Sequence, residues 1–177
     1  TLIVGAHRHR PGARRSGAAY VFGRNQGAAG AWGLVRKLTP SDGADNDDFG
    51  MAVALAGDTA VVGAQFNNGS VGNKAGAAYV FDRNLGGADQ WGQTNRIAPA
   101  DGVANANFGH SVAHSGDLIL VGAPGDGATG SGSAYAFARN QGGAGRWGQD
   151  QALYVGAHSD EPDDRPSPGI VPAARGD

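Results

Sequence analysis

Apolar positions along this chain recur every second residue, in short runs. Phe49, Met51, Val53 and Leu55 alternate with small residues, Thr59-Ala60-Val61-Val62 is short and β-branched, and Ala78-Tyr79-Val80-Phe81 mixes aromatic with β-branched side chains. Trp91 then opens a more polar run that ends near Ile97. A two-residue period sends successive side chains to opposite faces of a strand, so these runs predict strands. Turn chemistry closes them: Ala56-Gly57-Asp58 and Ser115-Gly116-Asp117 are tight connections in which glycine reaches positive φ at little cost. No ten-residue stretch carries a helical apolar stripe, and the 32 glycines oppose helix throughout. The pattern therefore predicts an all-β chain with four antiparallel strands per unit.

The units are copies of one another. Phe49-Gly50 returns as Phe108-Gly109, and Val-Gly-Ala begins at Val4, Val62 and Val121, a period of 58–59 residues. Gly-Ala-Ala-Tyr-Val-Phe at Gly17 returns at Gly76 and, as Gly-Ser-Ala-Tyr-Ala-Phe, at Gly132; Trp-Gly follows at Trp32, Trp91 and Trp147. A fixed period marks an array in which each unit buries its apolar face against its neighbour. One four-stranded sheet per repeat, packed sheet to sheet, is the pattern of a β-propeller.

In their order, Phe108-Gly109-His110-Ser111-Val112-Ala113, Val121-Gly122-Ala123-Pro124 and Gly132 to Phe137 resemble the FG-GAP repeats, best known from the N-terminal propellers of integrin α subunits. The second copy reads Phe49 to Ala54, Val62-Gly63-Ala64-Gln65 and Gly76 to Phe81, and the resemblance covers roughly residues 1–158. It implies a propeller used for protein or glycan recognition, placed outside the cytoplasm (secreted, cell-surface or periplasmic), and without catalysis. Integrin-like repeats carry long, aspartate-rich calcium loops between the FG and GAP strands. Here that position holds only Ala56-Gly57-Asp58 and Ser115-Gly116-Asp117. A calcium ion takes six to eight oxygens, more than so short a turn supplies, and that site is not carried over.

The repeats divide the chain into a partial blade at 1–48, a full blade at 49–107 and a blade with a truncated end at 108–158, followed by a tail at 159–177. Thr1-Leu2-Ile3-Val4-Gly5-Ala6 aligns with Thr59 to Ala64, so the first unit lacks its FG strand, and an upstream segment is expected. Ala152 to His158 resembles Thr1 to His7 but arrives early, as though an outer strand, the blade linker and an FG strand were missing between Asp150 and Ala152. Three incomplete blades do not close a ring, which typically takes four to eight. The expected partners are therefore other protein chains that complete the propeller or cover its open edges. In the tail, Pro162, Pro166, Pro168 and Pro172 alternate with Asp160, Glu161, Asp163 and Asp164, too little apolar surface to bury, so it is expected to be extended or disordered. Its closing Arg175-Gly176-Asp177 is the tripeptide many integrins recognise, read here as a consequence of composition.

Composition narrows the chemistry. The 177 residues carry a net charge of −2, which gives no reason to expect nucleic acid, and no apolar run is long enough to span a membrane. With no cysteine there is neither a disulfide framework nor thiolate chemistry. The loop His7 to Ser16 is basic, and Arg8, Arg10, Arg14 and Arg15 are candidate contacts for an acidic partner or a sulfated glycan. Asp42, Asp45, Asp47 and Asp48, with Asn46 among them, are candidate calcium ligands, although the sister loop at 101–107 keeps only Asp101 and makes the same connection. His110 and His114 take the places of Met51 and Leu55, which puts them on one face with Phe108 and Val112 as candidate partner contacts. Arg24-Asn25, Arg83-Asn84 and Arg139-Asn140, each followed by a tryptophan, read as a repeated hairpin with a packing ring; as a sugar platform they would serve a lectin. No catalytic motif is present. The leading expectation is a non-catalytic scaffold or adhesion module without a cofactor. The alternative is a lectin-like propeller, and a hydrolase of unassigned mechanism ranks behind both.

Overall fold

A computed structural model describes residues 1–10, 16–69, 72–127 and 130–154. Its strands are β1 (Leu2–Ala6), β2 (Ala18–Arg24), β3 (Trp32–Leu38), β4 (Val53–Ala56), β5 (Thr59–Ala64), β6 (Ala77–Asp82), β7 (Gly92–Ile97), β8 (Ser111–Ser115), β9 (Leu118–Ala123), β10 (Ser133–Arg139) and β11 (Trp147–Tyr154). No helix occurs among the described residues. The strands form three antiparallel meanders, β1-β2-β3, β4-β5-β6-β7 and β8-β9-β10-β11. Consecutive sheets touch through β1 with β4 and through β4 and β5 with β8. Over the described residues the result is an all-β stack of propeller blades, three sheets not closed into a ring.

The period of two explains where the core lies. On β6, Ala77, Tyr79 and Phe81 join Phe49, Ala19, Val21 and Leu38 in one apolar layer. The alternate residues Ala78 and Val80 join Phe108, Val121, Tyr135 and Phe137 in another. No blade has a core of its own; each layer is shared by two sheets, which is how stacked repeats gain stability. One irregularity recurs in all three sheets, a register shift at Val21/Phe22 on β2, Val80/Phe81 on β6 and Ala136/Phe137 on β10. In each case the strand that follows, β3, β7 or β11, carries one extra residue, and such a bulge increases local twist.

Two segments depart from the sequence expectation. The alternating run beginning at Phe49 does not start a strand there, because the ladder begins at Val53. Phe49 instead forms a parallel bridge to Gly17 of the preceding sheet, and Phe108 does the same with Gly76. The Phe49 N–H donates to the Ser16 carbonyl at 3.1 Å, and the Phe108 N–H to that of Ala75 at 3.0 Å. Each ring then turns back onto its own sheet, Phe49 against Tyr79 (5.5 Å) and Phe81 (6.1 Å), Phe108 against Tyr135 (5.6 Å) and Phe137 (5.8 Å). The motif is a hinge between blades as much as the start of one.

The second departure is at the third sheet. Ala152 does not begin a new unit; β11 runs unbroken from Trp147, and Ala152, Leu153 and Tyr154 pair with Tyr135, Ala134 and Ser133. Continuous pairing with β10 overrides the local likeness to Thr1–Ala6, since an outer strand extends wherever its neighbour offers free backbone groups. Arg14, Arg15 and the tail, with its Arg-Gly-Asp end, lie outside the described residues.

Candidate functional site

The meander topology gathers the β1–β2 and β5–β6 loops and the β3–β4 and β7–β8 linkers at one end of the blades. Between the first two sheets this end holds a polar network. The Tyr79 hydroxyl donates to Asp42 Oδ1 at 2.7 Å and accepts from Asn67 Nδ2 at 3.3 Å. Asn67 Nδ2 also reaches Asp47 Oδ2 at 3.0 Å, and the Ala44 N–H donates to the same oxygen at 2.8 Å. Arg96 closes the ring, with Nη2 on Asn67 Oδ1 at 2.7 Å and Nε on Asp42 Oδ2 at 3.1 Å. A cleft of about 390 Å³ opens over these residues.

The same post is built in all three sheets with different chemistry. His9, Asn67 and Asp126 each donate a backbone N–H to the last alanine of the preceding strand, Ala6, Ala64 or Ala123. Each side chain then meets the repeat tyrosine: His9 lies 3.3 Å from the Tyr20 hydroxyl, Asn67 meets Tyr79, and Asp126 accepts from Tyr135. Lys37 Nζ sits on His9 Nε2 at 3.0 Å where Arg96 sits on Asn67. Sequence reasoning missed this pairing of loop and tyrosine. Its one visible signal is the recurrence of Tyr20, Tyr79 and Tyr135, each preceded by a loop of different polarity.

The four aspartates of the β3–β4 linker are engaged separately. Asp42 and Asp47 belong to the network, Asp48 accepts from Gln65 Nε2 at 3.4 Å, and Asp45 lines a neighbouring cleft with Asn46, Phe66, Asn68, Asn73, Lys74 and Asn105. Among the described residues no three His, Asp or Glu side chains are grouped to hold a metal ion. Asp47 is 1% exposed and its Oδ1 has no hydrogen-bond partner. Burial raises its carboxyl above the ordinary 3.8, against the lowering effect of the Ala44 and Asn67 bonds. Burial, with the acceptor Asp42 beside it, likewise holds the Tyr79 phenol well above its usual range.

The other candidates are dispersed. Arg8 and Arg10 are exposed beside His9. His110 Nδ1 bonds Gln65 Oε1 of the middle sheet at 2.7 Å, whereas His114 packs edge-on against Trp147 at 5.5 Å with Nε2 on the Gly116 carbonyl at 3.0 Å. The histidines thus serve two different contacts. In the hairpins, Asn25, Asn84 and Asn140 accept from the N–H of Gly30, Asp89 and Gly145, each stapling its own loop. Trp91 and Trp147 are 3% exposed and therefore pack as scaffold, but Trp32 is 52% exposed.

That last contrast extends over both outer faces of the stack. Leu2, Val4, Trp32 and Leu34 are exposed on the first sheet, and Leu118, Leu120 and Leu153 on the third. The middle-sheet counterparts of Leu2, Val4, Trp32, Leu118, Leu120 and Leu153, namely Ala60, Val62, Trp91, Thr59, Val61 and Ile97, are buried, whereas Gln93, the counterpart of Leu34, is half-buried.

No curated protein matches the chain. A family model described as FG-GAP repeat matches residues 32–81 and 91–137, together more than half of the sequence. Both matched segments run from a repeat tryptophan or its strand, through the Phe-Gly hinge, to the aromatic end of the next third strand, so the match follows the blade-to-blade joints described above. The chain belongs to the FG-GAP repeat family.

Proposed function

We propose that this protein is a non-catalytic interaction module that works outside the cytoplasm as part of a larger assembly, docking other blades or chains on its two outer sheet faces. FG-GAP repeats suggest a propeller-type protein-interaction module, and repeats of this family usually occur in extracellular proteins. No helix of the described residues is long and apolar enough to cross a membrane. The observation that carries the reading is the exposure of Leu2, Val4 and Trp32 at one end, with Leu34 exposed beside them, and of Leu118, Leu120 and Leu153 at the other, where the middle-sheet equivalents of all but Leu34 are buried. Sedimentation of the 177-residue chain over a range of concentrations tests it. Association that is weakened by Leu34→Lys and by Leu120→Lys, with unchanged circular dichroism, is the expected result. A monodisperse 17.8 kDa species at every concentration, insensitive to both substitutions, would count against it.

A second reading is favoured by the cleft of about 570 Å³ lined by Asp45, Asn46, Phe66, Asn68, Asn73, Lys74 and Asn105. Amides and a carboxylate beside the half-buried Phe66 ring, over which Lys74 Nζ sits at 5.1 Å, suit sugar hydroxyls, the chemistry of a lectin. Retention of a defined sugar on a glycan array, lost on Phe66→Ala, would establish that role.

A further inference from the structure

We propose that Asn68 is a self-modifying site: its side chain condenses with the backbone nitrogen of Gly69 and is then hydrolysed, leaving a carboxylate in the β5–β6 loop, with Arg96 promoting the first step. The proposal goes beyond the interaction-module and lectin readings and rests on neither.

Asn68-Gly69 is the only Asn-Gly pair in the chain. The other asparagines precede Gln, Asp, Asn, Lys, Leu, Arg, Ala or Phe, whose side chains crowd the following nitrogen, whereas glycine leaves it open. The counterpart loops at 7–16 and 124–131 contain no asparagine, so the pair is a departure of the middle blade from its neighbours.

The fold places the pair where this chemistry is assisted. Asn68 is exposed and Gly69 half-buried, so water and base reach the side-chain amide. The Lys74 backbone N–H donates to Asn68 Oδ1 at 3.1 Å, which draws charge from the carbonyl carbon and makes it more electrophilic. The Gly69 N–H donates to Asn67 Oδ1 at 3.1 Å, and Arg96 Nη2 donates to the same oxygen at 2.7 Å. A Cβ built on Gly69 would lie 3.4 Å from that Arg96 nitrogen. A guanidinium so close favours the anionic form of the Gly69 nitrogen, the form that attacks. Asp42 fixes the guanidinium through Nε at 3.1 Å. Asp45, Asp47 and Lys74 are the other charged groups that share a cleft with Asn68.

The step needs only water. The Gly69 nitrogen gives its proton to solvent base and bonds to Asn68 Cγ, the Cγ–Nδ2 bond breaks, and the amide nitrogen takes up a proton and leaves as ammonia. Water then opens the cyclic imide. Attack at Cγ leaves an aspartate, and attack at the Asn68 main-chain carbonyl leaves an isoaspartate, with nothing oxidised or reduced. Asn68 lines two neighbouring clefts, so either product brings a new carboxylate into both. The isoaspartate also adds a carbon to the main chain directly after Asn67, the residue that meets Tyr79.

The test incubates the folded full chain at pH 6 and at pH 8 and follows residue 68 by peptide mass mapping, with methylation by an isoaspartate-specific methyltransferase as a second readout. The expected result is a gain of one mass unit confined to the peptide holding residue 68, faster at the higher pH and accompanied by isoaspartate. Asn68→Gln, which would need a larger ring, should abolish it. Arg96→Gln should slow the gain about threefold, as expected for removing one nearby charge in a well-hydrated loop. Arg96→Lys, which keeps the charge, should restore most of the rate. No gain at residue 68, a gain spread over several asparagines, or a rate in Arg96→Gln equal to or above the parent's overturns the proposal.

Discussion

The carbonyl oxygen of Gly109 occupies the space that a Cβ on Gly63 would need, and the carbonyl of Gly50 does the same at Gly5. The glycines of the first two Val-Gly-Ala triplets are thus seats for the Phe-Gly hinge of the next blade. At the third triplet, Gly122, the nearest atom is instead the rotatable Ser111 hydroxyl of its own sheet. Gly63→Ala is expected to cost about 3 kcal/mol, because the obstacle is backbone that moves only with the next blade. Gly122→Ala should stay within about 1 kcal/mol of the parent, since Ser111 can turn away and the alanine restricts the unfolded chain. Paired denaturant titrations measure the difference, and equal losses at the two sites would contradict this account of the joint.

Phe108 joins the third blade to the second through its backbone and fills its own sheet with its ring. Phe108→Ala is expected to destabilise by about 3–5 kcal/mol, the usual loss for a buried phenylalanine. Hydrogen exchange should show the loosening of both adjoining sheets, β5–β6 as well as β9–β10. Protection lost only in the third sheet would mean that the blades are energetically independent.

Asp47 gives the interior of the first joint a pH dependence. Because burial raises its folded-state pKa above 3.8, the folded chain holds that proton more tightly than the unfolded chain does. The Asp47 contribution to stability therefore falls as pH rises from about 3.8 through the raised pKa, and is flat above it. Other carboxylates titrate nearby, so the readout is the difference between parent and Asp47→Asn across pH 3–7. That difference should shift in favour of the asparagine variant as pH rises through the window and then level off. A difference independent of pH would show that Asp47 is not desolvated.

Arg139 and Arg83 hold equivalent positions with unequal surroundings. Arg139 stacks over Trp147 at 4.7 Å and its Nη2 reaches Thr59 of the middle sheet at 3.2 Å, whereas Arg83 pairs with the exposed Asp89 and Asp58. Arg139→Ala is expected to cost about 1–2 kcal/mol through the lost ring contact and the bond between blades. Arg83→Ala should leave the melting temperature unchanged, because pairs open to water are screened and pay side-chain entropy. Thermal melts of the two variants decide the matter.

The alternation of Ala78-Tyr79-Val80-Phe81 and the return of each motif after 58–59 residues are local facts, and strands, turns and repeat followed from them without any tertiary information. The tryptophan hairpins were legible for the same reason, as every element of the staple lies within a few residues of its asparagine. The network of Asp42, Asp47, Asn67, Tyr79 and Arg96 was not, because its members come from four segments that only the meander brings together. The likeness of Ala152–Tyr154 to β1 misled, since pairing with β10 outweighs a few residues of local resemblance.

By itself, then, the amino-acid order determined that this protein is a stack of small antiparallel sheets of the FG-GAP kind, because side-chain periodicity and turn chemistry act within a dozen residues. Only the packed structure decided that Phe49 and Phe108 bridge backward to Gly17 and Gly76, and that the ends of the stack carry uncovered apolar faces. Those features depend on which face of one sheet meets which face of the next. That choice is made by close approach of backbone to backbone over glycine, between residues far apart along the chain.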